Sequence, residues 1–205
     1  MHRRRDDPLD PATLLSAYAQ GAFPMSEPGT DRVRFFTCPV RCVFPLATFR
    51  PSGSLARRVR SGRFEISVNR DFAAVMSACA TDRGRQNRTW ISPSMQAAYV
   101  ELHRLGHAHS VEARRDGRLV GGLYGVTLGV AFFGESMFVR PDLGGTDASK
   151  VCLVHLVGRL RERGFVLLDS QFANDHVLRL GAVEIPAEDY LRRLAGAIGI
   201  EATFA

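Results

Sequence analysis

Three polar side chains that could handle a proton lie within two apolar segments. Glu135 falls inside the run 132–138, and Asp169 and Gln171 lie in the run 167–171. Strands that are apolar along their whole length are usually buried on both faces, and a carboxylate there is costly unless it is paired or used in chemistry. Two such acids in neighbouring apolar strands therefore predict the polar floor of an acyl-transfer site with apolar walls.

The composition is that of a globular protein that could bind an anionic partner. A chain of 205 residues with 45% hydrophobic residues can bury a full core, as one domain of ordinary size and a small extra lobe. The formal net charge is +6, and the arginines form several clusters. The charge alone does not distinguish two explanations of these clusters, a surface that binds an anionic partner and an ordinary solvated surface. Lys150 is the only lysine of the chain, which suggests a site that needs a compact ammonium group.

Cysteine usage and the first residues favour a soluble, cytoplasmic protein. The four cysteines form no C-x-x-C pair, so we expect reduced, buried thiols. No apolar segment of a secretory signal follows the charged residues 2–7. The longest apolar stretch, residues 119–134, is interrupted by glycines and is too short to cross a membrane. We therefore expect no membrane partner.

Two histidines at strand spacing form the one pattern that resembles a metal site. His107 and His109 would point to the same face of a strand, but no third ligand stands out. A structural role is favoured, and no metal is predicted.

Hydrophobic periodicity and turn residues predict an α+β fold, with a largely antiparallel sheet flanked by helices. Residues 1–50 are expected to form a small irregular N-terminal lobe, and residues 51–205 the main domain. The sequence Arg41–Phe44 in the lobe is strand-like. The other expected strands cover about 64–68, 108–115, 118–127, 130–138 and 165–170, and Asp116–Gly117 is expected to form a hairpin turn between the strands 108–115 and 118–127. The expected helices cover about 11–20, 70–80, 93–105, 147–163, 172–180 and 186–196.

A series of short motifs runs in order through nearly the whole chain. It includes Gly21–Pro24, Thr89–Ile91, Gly106–Glu112, Leu119–Val126, Gly134–Phe138, Leu168–Gln171 and Asn174–His176. In this ordered set the chain resembles the leucyl/phenylalanyl-tRNA–protein transferase family, which is part of the GNAT-like acyltransferase superfamily. Any one of the motifs is weak, whereas the ordered set is specific.

The resemblance implies a GNAT-like fold and a defined reaction. The family transfers Leu, Phe or Met from an aminoacyl-tRNA to the N-terminal Arg or Lys of an acceptor protein, which creates a degradation signal. An aminoacyl ester is already activated, so the enzyme has to position its substrates, and no cofactor is expected. We expect the protein to act as a monomer.

The same resemblance assigns the site residues. Glu135, Asp169 and Gln171 occupy the family's catalytic positions, and Trp90 would hold the terminal adenosine of the tRNA. Apolar side chains would line the pocket for the transferred amino acid: Leu123, Phe132, Met137, Leu153, Leu156 and Leu168. Because tRNA is a polyanion, we add basic side chains that would bind its phosphates, namely Arg83, Arg85, Arg88 and Lys150.

The chemistry of the reaction suggests a role for each catalytic residue. The acceptor α-amine, with a reference pKa of about 7.7–8.0, must be neutral to attack. Asp169 and Gln171 are two apart on a strand and therefore share a face. An amide oxygen is hardly basic, so we assign Gln171 to orienting the amine and Asp169 to polarising it or accepting its proton. Glu135 would contact the positively charged acceptor.

Three positions depart from the family pattern. The family has Trp at the positions of Met25 and Arg114, and Arg at the position of Ala187. These departures concern donor affinity and side-chain preference more than the type of reaction.

Two other functions remain open from the sequence. A coenzyme A-dependent N-acyltransferase would need a pyrophosphate-binding loop, but the glycine-rich segment 140–146 has a different spacing and contains Asp142. A non-enzymatic RNA-binding protein would carry the two buried acids for structural reasons.

Overall fold

The computed structural model describes residues 9–27, 29–81 and 89–205. Its helices are α1 (Pro11–Ala19), α2 (Gly53–Arg60), α3 (Phe72–Thr81), α4 (Pro93–Arg104), α5 (Ala148–Glu162), α6 (Asp175–Arg179) and α7 (Ala187–Ile198). Its strands are β1 (Phe23–Ser26), β2 (Val33–Phe36), β3 (Val40–Phe44), β4 (Glu65–Val68), β5 (Ala108–Arg115), β6 (Arg118–Leu128), β7 (Ala131–Val139), β8 (Leu167–Asp169) and β9 (Val183–Pro186).

Local sequence signals account for the ends of α1 and α4. The side chain of Asp10 accepts a hydrogen bond from the backbone N–H of Thr13 at 2.8 Å, and proline occupies the first turn of the helix. Ser92 caps α4 in the same way, again with proline in the first turn. Both helix starts agree with the prediction.

The main sheet has seven strands in the order β4-β5-β6-β7-β8-β3-β9. All neighbouring pairs are antiparallel except β7 and β8, which are parallel. β5 and β6 are joined by the tight turn of Asp116 and Gly117, where both residues have positive φ angles. The predicted α+β class, the largely antiparallel sheet and this hairpin are confirmed.

Helices cover both faces of the sheet and enclose two cores. α1, α3, α4 and α7 pack on one face, and α2 and α5 pack on the other. Successive strand residues alternate between the cores: Phe133 and Leu167 belong to the first, and Phe132 and Leu168 to the second. The strands that hold the predicted catalytic residues are therefore covered on both sides.

Several elements differ from the sequence prediction. β3, which the prediction assigned to the small lobe, lies in the main sheet between β8 and β9. α2, β9 and the two-stranded β1–β2 sheet were not predicted as such. Non-local pairing decides β3 and β9, because each is four or five residues long and has little periodicity of its own. No helix in residues 9–27, 29–81 or 89–205 has the length and apolar character needed to cross a membrane.

Candidate active site

A cavity opens where the two parallel strands β7 and β8 separate. Their pairing ends at Phe133 opposite Asp169, and the residues that follow on both strands line the cavity. Its volume is about 480 Å³. Because it lies in a gap in the sheet, both cores border it: Phe23 of the first core and Leu153 and Leu156 of the second line the cavity.

Glu135 enters this cavity from a β-bulge. β6 and β7 change register between Tyr124 and Gly125, which face Ser136 and Gly134, so that Glu135 is the extra residue. A bulge redirects a side chain that regular pairing would point elsewhere, and bulges are common beside active sites.

Two tyrosines hold the carboxylate of Glu135. The hydroxyl of Tyr18 in α1 donates to Oε1 at 2.8 Å, and that of Tyr99 in α4 donates to Oε2 at 3.2 Å. The two hydroxyls are 2.6 Å apart. Both rings are fully buried, so the hydroxyls are fixed in place.

The pKa of Glu135 is raised from its ordinary value of 4.5 to about 7, mainly because burial disfavours the charged form. The hydrogen bonds from Tyr18 and Tyr99 oppose this shift, and the negative charge of Asp169 adds to it. Glu135 is thus a carboxylate that can gain or lose a proton near neutral pH.

Asp169 has different surroundings. Arg41 in β3 donates from Nε to Oδ1 at 2.9 Å and from Nη2 to Oδ2 at 2.6 Å. The hydroxyl of Tyr190 in α7 donates to Oδ2 at 3.0 Å. The backbone N–H of Gln171 donates to Oδ1 at 2.9 Å. Both oxygens of this fully buried carboxylate are therefore engaged, and its negative charge is paired.

Gln171 connects the two acids. Its backbone is held by Asp169, and its side-chain Nε2 donates to Oε1 of Glu135 at 3.3 Å. Its φ angle is +58°, in the left-handed region that residues other than glycine rarely adopt. Such strain is found where surrounding contacts fix the conformation, often at functional sites.

The structure brings most of the predicted site residues together. The three predicted catalytic residues line the cavity, as do Trp90, Leu123, Met137, Leu153, Leu156 and Leu168. The leucines of α5 form the wall on one face of the sheet.

Some predicted residues lie elsewhere. Phe132 is fully buried in the second core, with its ring centroid 5.3 Å from that of Phe204, and it does not line the cavity. Lys150 lies in the first turn of α5, where its Nζ is 2.9 Å from Oδ1 of Asp147. Arg83, Arg85 and Arg88 fall outside the described residues.

Sequence reasoning missed the four side chains that surround the two acids. None of the four, Tyr18, Tyr99, Arg41 and Tyr190, was among the predicted site residues. A usable signal exists for Arg41, because an arginine in the otherwise apolar strand 40–44 requires a buried partner.

The three departures from the family pattern occupy different places. Met25 lines the cavity. Arg114 lies on β5, where its Nη2 is 3.2 Å from Oδ2 of Asp71. Ala187, at the start of α7, lines a second cavity behind Arg41. Of the three, only Met25 can contact a molecule bound in the first cavity.

The histidine pair has no third ligand in the described part of the chain. Residues 9–27, 29–81 and 89–205 contain no group of three or more His, Cys, Asp or Glu side chains that could hold a metal ion. His109 is buried, with Nδ1 3.0 Å from Asn69 and Nε2 3.2 Å from Thr127. Desolvation lowers its pKa to about 4.

Sequence profiles of a known family match most of the chain. A profile described as leucyl/phenylalanyl-tRNA protein transferase matches residues 43–195, and a profile described as the N-terminal domain of that protein matches residues 7–39. The leucyl/phenylalanyl-tRNA–protein transferase of Ruegeria pomeroyi is 52% identical over 198 residues, which cover 96% of this chain and 90% of the relative. That of Rhizorhabdus wittichii is 50% identical over 195 residues, which cover 95% of this chain and 77% of the relative.

Solved structures show more distant likenesses. A GCN5-related N-acetyltransferase-like protein from Streptococcus suis matches with a TM-score of 0.42 and 15% identity, over 85% of this chain and 63% of that chain. Family assignment rests on the sequence matches, which confirm the resemblance drawn from the motifs. The chain belongs to the leucyl/phenylalanyl-tRNA–protein transferase family.

Proposed function

We propose that this protein transfers Leu, Phe or Met from an aminoacyl-tRNA to the N-terminal Arg or Lys of an acceptor protein. The observation that carries the proposal is the cavity in which apolar side chains surround the pair Glu135 and Gln171. The family membership supports an aminoacyltransferase with tRNA and protein substrates. The reaction would take place in the cytoplasm, where charged tRNAs are found, and the enzyme would act as a monomer.

The leucine wall of α5 suits the side chain of the donor amino acid. Leu153 and Leu156 face the cavity together with Leu123 and Leu168. An apolar pocket discriminates by about 1–3 kcal/mol per methylene, which is enough to favour Leu over Ala. Met137 is flexible and can adapt to side chains as different as those of Leu and Phe.

Glu135 is the residue we assign to the proton of the acceptor amine. The amine nitrogen attacks the ester carbonyl, the bond from that carbonyl to the ribose oxygen breaks, and one proton leaves the amine. A carboxylate with a pKa of about 7 is suited to take that proton and to pass it to the departing ribose oxygen. The tyrosines hold Glu135 in position for this transfer.

This assignment reverses the roles expected from the sequence. Asp169 was expected to polarise the amine or accept its proton, but its oxygens already accept hydrogen bonds from Arg41, Tyr190 and the backbone of Gln171. We therefore assign Asp169 a positioning role: its carboxylate is a fixed negative charge that holds the backbone N–H of Gln171. The amide oxygen of Gln171 would orient the attacking amine.

The preference for a cationic acceptor has an electrostatic basis in the same cavity. Arg41 neutralises Asp169, whereas the hydrogen-bond partners of Glu135 are neutral side chains. The ionised Glu135 would thus attract an acceptor that carries Arg or Lys at its N-terminus. The product begins with Leu, Phe or Met, and we propose that this new N-terminus marks the acceptor protein for degradation.

Binding of the tRNA would depend on the predicted basic residues. Replacing Arg83, Arg85 and Arg88 together by Ala should raise the Michaelis constant for the aminoacyl-tRNA and make it less dependent on salt, because fewer counterions are released. Trp90 would stack on the terminal adenine. An unchanged salt dependence in the triple variant would refute this part of the proposal.

One transfer assay tests the proposal as a whole. The protein is incubated with radiolabelled Leu-tRNA and a protein that begins with Arg, and acid-stable label on the acceptor is counted. We expect label on this acceptor and little on a matched protein that begins with Ala. Labelled acetyl-coenzyme A replaces the tRNA in a parallel reaction. Transfer from acetyl-coenzyme A alone would instead identify a coenzyme A-dependent N-acyltransferase.

A further inference from the structure

Arg41 lies behind the proposed active site and connects the segments that hold both acids. We infer that Arg41, together with Tyr190, is a positioning residue that sets the orientation of Gln171 and thereby the rate of aminoacyl transfer. The inference rests on the proposed function. It concerns two side chains that line the second cavity and not the first.

The guanidinium of Arg41 uses each of its nitrogens. Nε and Nη2 form the bidentate pair with Asp169, and Nη1 donates to the carbonyl of Gly21 at 2.9 Å. Gly21 follows α1, three residues after Tyr18, which donates to Glu135. Arg41 therefore joins the end of α1 to the end of β8, and these two segments supply contacts to the two different acids.

Aromatic rings fix the plane of this guanidinium. Its central carbon lies 4.8 Å from the ring centroid of Phe23 and 4.4 Å from that of Tyr190. The hydroxyl of Tyr190 is 3.2 Å from Nη2 of Arg41 and donates to Oδ2 of Asp169. Arg41 and Asp169 are almost completely buried, so the arrangement has little freedom to change.

One hydrogen bond makes the orientation of Gln171 depend on that of the Asp169 carboxylate. Oδ1 of Asp169 accepts hydrogen bonds from Nε of Arg41 and from the backbone N–H of Gln171. That N–H belongs to the residue in the left-handed conformation, which needs a specific contact to persist. If Arg41 is removed, the carboxylate loses its only charged partner among these contacts. Gln171 can then relax, and its amide moves away from Glu135.

The second cavity provides a way to separate positioning from simple stabilisation. It has a volume of about 480 Å³ and is lined by Arg41 and Tyr190 together with the exposed residues Gln20, Thr37 and Leu191. A small cation in solution can therefore reach the space that Arg41 leaves empty in an Arg41→Ala variant. Guanidinium has the planar shape and the donors needed to pair with Asp169.

The experiment measures leucyl transfer from Leu-tRNA to an acceptor that begins with Arg, with and without about 50 mM guanidinium, far below the molar concentrations that unfold proteins. We expect Arg41→Ala to lower kcat about 100-fold, as a small misplacement of a positioning group does. The Michaelis constant for the donor should change by less than about threefold, because the leucine wall is untouched. Guanidinium should raise the kcat of the Arg41→Ala variant at least about tenfold.

Two further variants keep the test decisive. Arg159→Ala is the matched control, because Arg159 also donates to a backbone carbonyl, at 2.6 Å, and lies over an aromatic ring, but has no part in the site. It should keep the wild-type kcat and show no activation by guanidinium. Tyr190→Phe retains the ring and removes only the hydroxyl. It should lower kcat about 3–10-fold and the melting temperature by only a few degrees, so that the protein stays folded in the assay.

The outcomes distinguish this inference from the proposed function. Wild-type kcat in Arg41→Ala overturns the inference. A loss that guanidinium does not restore, combined with wild-type kcat in Tyr190→Phe, overturns it as well. If Arg41→Ala does not fold, the kcat of Tyr190→Phe decides alone. Absence of transfer by the wild-type protein would contradict the proposed function itself.

Discussion

The two acids of the site lie on neighbouring strands but in opposite surroundings. Asp169 is fully buried, and its negative charge is paired with the positive charge of Arg41. Glu135 faces the cavity, is held by neutral hydroxyls and has a pKa raised to about 7. Carboxylates in such different surroundings commonly have different roles in catalysis. The comparison teaches that two acids in one site can differ in their charged partners, and this difference is the basis on which we assign the proton to Glu135.

The largest expected effect comes from removing the carboxylate that we assign to the proton. Glu135→Gln should lower kcat by about 10²–10⁴-fold on every acceptor, because general base catalysis contributes about this much. The transfer assay at saturating Leu-tRNA measures it. Glu101→Gln is the control, because the side chain of Glu101 is about half-exposed, lies beside Arg104 and does not line the cavity. Full turnover on Arg-starting acceptors, with lost discrimination against neutral ones, would limit Glu135 to acceptor recognition.

For stability we expect the opposite order of effects: replacing Asp169 should destabilise the protein more than replacing Glu135. Asp169→Asn leaves Arg41 buried without its counter-charge and should reduce the free energy of unfolding by about 3–5 kcal/mol. Glu135→Gln should change it by less than about 1 kcal/mol at neutral pH. Urea unfolding of both variants measures the difference, with Asp189→Asn as a control for an exposed ion pair with Arg192. Similar losses in the two site variants would contradict the comparison.

The tyrosines around Glu135 should control the pH at which the enzyme becomes active. Their hydrogen bonds lower the pKa of Glu135, so Tyr18→Phe should raise it. The rising limb of kcat/KM between about pH 5 and pH 9 should then move to higher pH by about half to one unit. The acceptor amine has the same pKa in the reactions of wild type and variant. A difference between the two pH profiles therefore comes from a group of the enzyme. Coinciding profiles would argue against Glu135 as the titrating group.

The smallest expected effect is the pH dependence of stability due to Glu135. Its pKa in the folded protein, about 7, exceeds the ordinary value of 4.5, so the folded state binds more protons between these values. The contribution to stability is therefore complete below pH 4.5 and is lost as the pH rises through 7. We expect about 1 kcal/mol, because the cavity is open to water and weakens the effect of desolvation. Unfolding of wild type and Glu135→Gln at pH 5 and pH 8 measures it, and parallel curves would contradict it.

The regular elements near the site could be predicted because their signals are local. The hairpin of β5 and β6 follows from alternating residues and the turn Asp116–Gly117, and α4 follows from Ser92 and Pro93. The apolar strands with Glu135 and Asp169 were also recognised, since a polar residue in an apolar run needs no distant information to be noticed. The motif order then indicated the family.

The contacts that distinguish the two acids could not be predicted. Arg41 and Asp169 are separated by 128 positions in the chain, and Tyr18 and Glu135 by 117. Both contacts depend on tertiary packing: β3 inserts beside β8, and α1 packs near β6 and α4. The bulge that turns Glu135 into the cavity also depends on the register between β6 and β7. Short strands such as β3 show little periodicity, so their partners are decided by the rest of the fold.

The amino-acid sequence by itself determined the fold class, the family and the residues of the cavity floor, because these depend on local pattern and on motif order. Only the tertiary structure decided which carboxylate is paired with an arginine and which has a raised pKa. The physical reason is that a proton affinity is set by the charges, donors and burial around a group, and these come from segments that are distant in the chain.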